Sequence, residues 1–403
     1  MTAKEGAKDV VLREIPKWES HNIISSEQGK KIRALYKAGE EEGVGGKLVP
    51  FIAIFGSLMI GAGIILFFAM NWSTIPKAVK VFSLLGFLLA FYHLGYLMKF
   101  SKGTFPKVGE ALIFLGAVLF GANIALIGQI FNISAHWPNM FLFWALGALA
   151  IAYCAASLTS LYVGLITLLI YVGTESLYWF EKIDSFYHAE YAFFLIFLSL
   201  GVLYFTVGSL HEKKDSARTM RYPYHLIGSS LILMACYLLS FKWFGEGFGR
   251  YSGSNDLLFT SQFWAILLFT SAICAIALIY HFMTRKKGEV LEFYEVFILA
   301  LLLVFSPAVV LLAKVNYWFV PVLFNIILFL LIVASVYLGH EKREKTLVNL
   351  GMAAFGVALV SRYFEYLWDV LNGYLFFIIG GFLLIGLSII LEKKRRSILR
   401  DFA

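Results

Sequence analysis

The sequence predicts an all-α polytopic integral membrane protein with about 12 transmembrane helices and a small N-terminal cytoplasmic helical hairpin. The 403 residues are 60% hydrophobic and 15% charged, whereas a soluble domain has about 25% charged residues. The mean hydropathy is +0.77. Apolar runs of about 20 residues, the length that crosses a bilayer, recur along the whole chain.

The first 47 residues are polar and are predicted to form a cytoplasmic domain. Residues 8–38 have the pattern of a helical hairpin, in which Ser25 caps the second helix and Gln28 occupies the capping-box position. Two short helices bury little surface by themselves, so we expect this hairpin to contact a protein partner, a second copy of the chain or the membrane surface. The segment contains no apolar stretch with a cleavage site, and no removable signal peptide is predicted.

Apolar runs occupy most of the remaining chain. Residues 139–177 would make one helix of roughly 58 Å, too long for one crossing, so we divide them at 157–160. The predicted spans are residues 48–70, 78–98, 109–131, 139–156, 159–177, 190–210, 224–242, 258–282, 293–313, 317–338, 346–368 and 374–391.

The predicted organisation is a tail over 1–47, a four-helix membrane unit over 48–156 and an eight-helix membrane region over 157–403. Within the four-helix unit, Gly56 and Gly61 recur 60 residues later as Gly116 and Gly121. This spacing suggests a duplicated hairpin. Chance similarity between glycine-rich spans explains it equally well.

Positive charges indicate the orientation of the spans. With the N-terminus in the cytoplasm, 27 of the 34 Lys and Arg residues fall on the inner side and 7 on the outer side. Because cytoplasmic loops are enriched in Lys and Arg, both termini are predicted to be cytoplasmic.

Tryptophan has the opposite distribution. Indole rings favour the lipid headgroup region, so the tryptophans near the outer helix ends are predicted to be interface anchors that contact membrane lipids. Their one-sided placement also allows an outer aromatic surface for lipid, glycan or a partner. The predicted anchors are Trp72, Trp137, Trp179, Trp243, Trp318 and Trp368.

Several stretches resemble a known family. They are Trp18 followed by NIISSEQ, the span ending FFAMNW, the segment GEALIFLGAVLFGANIALIGQIFNI, and the C-terminal SRYFEYLWDVL with FFIIGGFLLIGLSIILEKKRR. Together they are similar to the domain of unknown function 2157 family of bacterial membrane proteins. The resemblance implies a multi-pass protein of the bacterial plasma (inner) membrane, and it supplies no catalytic residue.

Polar residues near the outer helix ends are the candidate substrate-binding groups, because polar side chains in spans usually face a bundle interior or water. Arg362 and Glu365 lie one turn apart on one helical face. They either form a structural ion pair or line an outward-facing cavity that holds an anionic headgroup or solute. The candidates are Asn71, Gln129, Asn132, Arg362, Glu365 and Asp369.

Other chemistries have little support in the sequence. His211, His281 and His340 each end a cytoplasmic helix and are far apart in sequence, which favours helix-end interactions over metal binding. No metal, cofactor or catalytic residue is predicted. The basic residues follow the topology, so nucleic-acid binding is not predicted either.

Three functions remain open from the sequence. Twelve spans with buried charge favour a transporter- or flippase-like carrier. The cytoplasmic hairpin suits a non-catalytic membrane scaffold or sensor. An enzyme acting on lipid-linked substrates ranks third, since its only acidic candidates are Glu365 and Asp369.

Overall fold

The structure is a computed structural model. It describes residues 14–16, 18–20, 23–29, 31, 44–71, 74–101, 105–181, 189–242, 261–284, 290–315, 319–368 and 373–400. Within these residues it contains helices and turns and no β-strand.

Long helices occupy each of the predicted span positions in the described part of the chain. They are α1 (Val44–Met70), α2 (Lys77–Tyr96), α3 (Pro106–Ile130), α4 (Asn139–Cys154), α5 (Leu158–Glu181), α6 (Ala189–Glu212), α7 (Arg221–Leu239), α8 (Ser261–Met283), α9 (Val290–Val315), α10 (Phe319–Glu341), α11 (Lys345–Leu367) and α12 (Gly373–Arg400). A π-helical turn, Leu97–Ser101, extends α2, and a 3-10 helix, Asp215–Met220, precedes α7.

Eight described helical segments are long and apolar enough to cross a membrane. The helices α1, α8 and α9 have 27, 23 and 26 residues, and the apolar stretches described within them and within α4 have 10–17 residues. For example, α4 has 16 residues, or about 24 Å of helix. The structure therefore supports a multi-pass helical membrane protein, and it does not establish the predicted count of about 12 crossings.

The predicted division of residues 139–177 is confirmed. The helix α4 ends at Cys154 and α5 begins at Leu158. Ala156 between them has a φ of 41°, in the left-handed region. The chain thus turns back sharply at this point, as the length of the apolar run requires.

The chain forms two compact units, Met1–Gly164 and Leu165–Ala403. In the first unit α3 packs against α1, α2 and α4, and Leu115 and Ala117 are fully buried. Asn123 Nδ2 donates a hydrogen bond of 3.0 Å to the Leu84 carbonyl of α2. This is the interhelical bond that a buried asparagine requires. The predicted domain boundary at residue 156 stays a prediction.

In the second unit α6 and α7 pack closely at the centre. A Cβ at Gly228 of α7 would lie 2.6 Å from the Phe205 nitrogen of α6, so only glycine permits this approach. The surrounding core includes Cys236 of α7, Cys274 of α8 and Phe324 of α10. The helix α11 packs on α10, and α12 packs on α11.

The capping box in the N-terminal tail is confirmed. The Ser25 N–H donates to Gln28 Oε1 at 2.9 Å, and the Gln28 N–H donates to Ser25 Oγ at 3.2 Å. Glu19 lies against Gly29, so the two short segments contact each other. Most of the predicted hairpin lies outside the described residues.

Candidate functional site

The predicted polar groups of the first unit lie at helix ends. Asn71 Nδ2 donates to the Phe67 carbonyl at 2.9 Å, which satisfies an acceptor in the last turn of α1. Gln129 and Asn132 are exposed at the end of α3, and Asn132 has a φ of 49°. These positions leave the three side chains accessible, and their predicted substrate contact stays a prediction.

Arg362 and Glu365 of the second unit form the predicted ion pair. Arg362 also donates to Ser240 Oγ, and its guanidinium lies 4.2 Å from the centroid of the Phe241 ring. Glu365 Oε1 accepts a 2.7 Å hydrogen bond from the Lys242 N–H. The ion pair therefore links α11 to the C-terminal end of α7. A cation such as Arg362 is stabilised there, because a helix C-terminus carries partial negative charge.

Arg362→Ala should lower the free energy of unfolding by about 3 kcal/mol, because it leaves the half-buried Glu365 without its partner. Chemical unfolding of the purified protein in mixed micelles measures this. The exposed Arg343 provides the control, and Arg343→Ala should change stability by less than about 0.5 kcal/mol. Equal stabilities for the two variants would contradict the assigned role of Arg362.

Two predicted anchors are exposed as an interface role requires: Trp137 and Trp368 are 55% and 57% exposed. Trp144 instead lies inside the first unit, where its Nε1 donates to the Ala117 carbonyl at 2.8 Å. Asp369, Trp72, Trp243 and Trp318 lie outside the described residues, as does the side chain of Trp179.

A group of charged side chains in the described part of the second unit lies at the opposite end of α7 from Ser240. We call it the buried charge cluster. Its members come from the ends of α6 to α11 that meet here, and all are more than nine-tenths buried except Glu212, whose side chain is 26% exposed. The members are Glu212, Arg221, His225, His281, Glu295, Lys342 and Glu344.

Two cations bridge the three carboxylates of this cluster. Lys342 Nζ pairs with Glu295 Oε2 and lies 3.3 Å from Glu212 Oε2. Arg221 pairs with Glu212 at 2.5 Å and with Glu344 at 3.1 Å. Breaking one such buried pair is strongly destabilising because the remaining charge is left without compensation.

His225 connects two of the carboxylates. Its Nδ1 lies 3.4 Å from Glu344 Oε2, and its Nε2 lies 3.2 Å from Ser209 Oγ. The Ser209 hydroxyl contacts Glu295 Oε1, and it also lies 3.2 Å from the Phe205 carbonyl. When the hydroxyl donates to Glu295, its oxygen can accept from His225, and a ring with a proton on each nitrogen then satisfies both contacts.

The seven side chains of the cluster include three carboxylates and two cations, so one further positive charge balances them. Lys213 lies beside the cluster and donates to the His281 carbonyl at 3.0 Å. His281 is the other buried histidine, with Nε2 4.0 Å from Glu295 Oε1. His225 contacts Glu344 directly and is linked to Glu295 through Ser209. His225 is therefore the candidate to carry the balancing proton.

Local sequence features position the His225 ring. The ring stacks on Phe205 of α6, with 4.6 Å between centroids. It also lies directly over Gly208, where a Cβ would overlap its Cδ2 atom. The small residue on α6 thus makes room for the imidazole, and Ser209 beside it supplies the hydrogen bond.

A cavity of about 50 Å³ adjoins the cluster between α6, α7, α9 and α10. Glu295 lines one part of it, and Ser229 and Ser335 are its other polar lining residues. Since one water needs about 10–15 Å³ of such volume, the cavity has room for a few water molecules. The cavity beside the cluster is therefore mainly apolar, with Glu295 as its charged lining residue.

The loop between α10 and α11 carries two of the charged groups, Lys342 and Glu344. Burial alone would lower the pKa of Lys342, but Glu295 and Glu212 raise it above its ordinary 10.5. Burial alone would raise the pKa of Glu344, but the hydrogen bond from His225 and the charge of Arg221 lower it below 4.5. Both groups therefore favour folding in their charged forms.

These shifts predict a broad stability plateau. The Glu344 contribution is complete above pH 4.5 and is lost as the pH falls through its depressed pKa. The Lys342 contribution is complete below pH 10.5 and is lost as the pH rises through its raised pKa. Unfolding measured against pH should show that Glu344→Gln reduces the wild-type loss on the acid side. An unchanged acid limb would contradict this.

A second polar group lies in the first unit, around the turn between α4 and α5. Lys99 Nζ donates to Glu110 Oε2 at 2.7 Å and to the carbonyls of Ala155 and Ala156 at 2.9 Å each. Glu110 Oε1 accepts from Thr159 N at 3.1 Å. The pair of Lys99 and Glu110 therefore satisfies backbone groups at the end of α4 and at the start of α5. The turn between these two helices contains no charged residue.

Glu110→Ala should lower the free energy of unfolding by about 3 kcal/mol, because Lys99 and Thr159 lose their partner together. Glu110→Gln is the matched comparison, since it keeps an acceptor oxygen for Thr159 and should lose less. Thermal unfolding in detergent distinguishes them. If the glutamine variant were as unstable as the alanine variant, the capping role of Glu110 would be wrong.

The sequence analysis missed the buried charge cluster. None of Glu212, Arg221, Lys342 and Glu344 is among the candidates predicted from the sequence, although each lies within about one turn of a predicted span. One available signal was the spacing of Arg221 and His225, which places both side chains on the same face of α7. Within the described residues, no three His, Cys, Asp or Glu side chains are grouped so that they could hold a metal ion.

Comparison with known proteins identifies one family. The family model described as a predicted membrane protein, domain of unknown function 2157, matches residues 16–161. This confirms the resemblance for the first unit, whereas the resemblance of the C-terminal stretches stays a prediction. No curated protein and no solved structure matches the chain.

Proposed function

We propose that this chain, a multi-pass protein similar over residues 16–161 to a family of predicted membrane proteins, is a proton-linked carrier. His225 is its proton-binding residue. The observation that carries the proposal is the placement of His225 between two buried carboxylates in a cluster that one proton makes neutral. Histidine is the side chain whose charge ordinarily changes in the physiological pH range.

Proton loss from His225 changes the contacts among several helices. A neutral imidazole has one N–H, so it cannot donate both to Glu344 and to Ser209. One contact is then lost, and the cluster carries a net negative charge. The charged groups that face this change belong to several helices: Glu212 of α6, Arg221 of α7, His281 of α8, Glu295 of α9, and Lys342 and Glu344 before α11. Proton occupancy therefore biases the packing of these helices around their cavity.

The remaining features agree with a carrier that faces both sides of a membrane. Buried ionisable groups in membrane proteins commonly serve proton relays and solute paths. Asn71, Gln129 and Asn132 at the helix ends of the first unit are proposed to contact the solute. The pair of Arg362 and Glu365 in the second unit is explained by its structural contacts with Ser240 and Lys242. The charge distribution favours the bacterial inner membrane with both termini in the cytoplasm.

Solute-driven proton movement tests the proposal. The full-length protein is reconstituted in liposomes that contain a pH-sensitive dye, and fractions of a bacterial small-molecule extract are added outside. We expect at least one fraction to change the internal pH with wild-type protein and not with His225→Phe. Glu341→Gln is the control, because Glu341 is a half-exposed carboxylate outside the cluster.

Two outcomes would contradict the carrier. One is that no fraction moves protons although the reconstituted protein is folded. The other is that His225→Phe moves them as the wild type does. If pH changed the conformation of the wild type without any flux, the alternative would be favoured: a membrane sensor or scaffold that acts through its N-terminal hairpin. A lipid-linked enzyme ranks third. Ser209 and His225 do place a hydroxyl beside an imidazole, but Ser209 is only 2% exposed and its hydroxyl also contacts Glu295.

A further inference from the structure

A groove runs between α11 and α12 at the end of the chain. Its wider part has a volume of about 580 Å³, within the range of about 300–1,000 Å³ that is typical of ligand sites. Its wall is apolar along most of its length, and Asn349, Glu392 and Arg395 form its polar end. A narrower apolar continuation of about 220 Å³ shares Val360 and Leu384 with it.

The groove has the length of a lipid acyl chain. From Asn349 to Val360 the helix rises about 16 Å. One leaflet of a hydrocarbon core about 30 Å thick is half that thickness, or about 15 Å. Small residues leave space in the groove. Ala353 is exposed on its wall, and a Cβ added at Gly381 in the narrower continuation would have no atom within 4 Å.

The polar end of the groove is positively charged. Arg395 Nε donates to Asn349 Oδ1 at 2.7 Å, and its NH1 lies 3.3 Å from Glu392 Oε2. These contacts hold the guanidinium at the mouth and use two of its five N–H donors. Lys393 and Lys394 are exposed beside it, so the mouth is net positive despite Glu392.

We propose that this groove binds an anionic phospholipid, with the acyl chain along α11 and α12 and the phosphate on Arg395. Arginine is well suited to phosphate because its planar fork offers paired donors. The positive charge at the mouth selects an anionic headgroup over a zwitterionic one. This site lies outside the buried charge cluster, and the inference does not depend on the carrier proposal.

Native mass spectrometry of the full-length protein in detergent, titrated with phosphatidylglycerol or phosphatidylcholine of equal chain length, tests the inference. Wild type should bind one phosphatidylglycerol about tenfold more tightly than phosphatidylcholine, the effect of one charge-assisted hydrogen bond. Arg395→Gln should remove that preference. Lys394→Gln removes the same charge from an exposed residue that does not line the groove, and it should lower the preference much less than Arg395→Gln does.

The acyl part of the site has its own variants. Ala353→Phe fills the groove and should weaken binding of both lipids, whereas Val357→Phe, on an exposed face of α11 outside the groove, should not. Unfolding in lipid-free detergent checks that each variant is folded. Arg395→Lys keeps the charge and should retain part of the preference.

Three results would overturn the inference. The first is equal affinity of the wild type for the two lipids. The second is equal weakening by Arg395→Gln and Lys394→Gln, which would indicate diffuse surface charge. The third is that Ala353→Phe changes the ratio of monomer to dimer and leaves lipid binding unchanged. That result would mean that a second copy of the chain, and not a lipid, occupies the groove.

Discussion

Glu295→Gln is expected to lower the free energy of unfolding by about 3–5 kcal/mol, because it removes the negative partner of a buried lysine. Glu295 is 1% exposed, pairs with Lys342 and accepts from Ser209. Glutamine has nearly the same size as glutamate, so the loss of stability measures the effect of the removed charge and not that of a cavity. Chemical unfolding in mixed micelles measures the difference.

The matched control for this prediction is Glu341→Gln. Glu341 ends the helix that precedes Lys342, but its side chain is 46% exposed. An exposed substitution should change stability by no more than about 0.5 kcal/mol. If both variants lost the same amount, the stabilising role of the buried charge cluster would be contradicted.

His225→Phe should make stability strongly dependent on pH. The phenylalanine can still stack on Phe205, but the three carboxylates of the cluster then face two cations with no further proton on the ring. We expect a loss of about 2–4 kcal/mol at neutral pH and a partial recovery as the pH falls and a carboxylate becomes protonated. Unfolding of the variant and the wild type across the pH range measures this.

A second substitution tests the charge account directly. Glu344→Gln in the His225→Phe background restores two negative charges against two positive ones. The double variant should therefore be more stable than His225→Phe at neutral pH, and the two substitutions should not be additive. Additive losses would mean that His225 acts by packing alone.

The positions of the helices could be predicted from the sequence because hydrophobic length and turn chemistry are local properties. The division at residues 157–160 followed from helix rise alone, and the capping box of Ser25 and Gln28 followed from a four-residue pattern. The number of crossings was less predictable. A helix of 16 residues such as α4 can pack in a bundle without the length of a full span.

The candidate site was only partly predictable. The pair of Arg362 and Glu365 was found because its members lie one turn apart on one helix. Its contact with Ser240 joins residues 122 positions apart and could not be read from local spacing. The same holds for the cluster, in which Ser209 and Glu295 are 86 positions apart. Such contacts depend on which helix ends meet in the folded protein.

The protonation state of His225 is the most direct test of the account. Nitrogen NMR of isotope-labelled histidines in the full-length protein, embedded in lipid nanodiscs at neutral pH, reports how many ring nitrogens carry a proton. The signal of His225 is the one that disappears in His225→Phe. We predict protons on both nitrogens of this ring. A single protonated nitrogen would contradict the account.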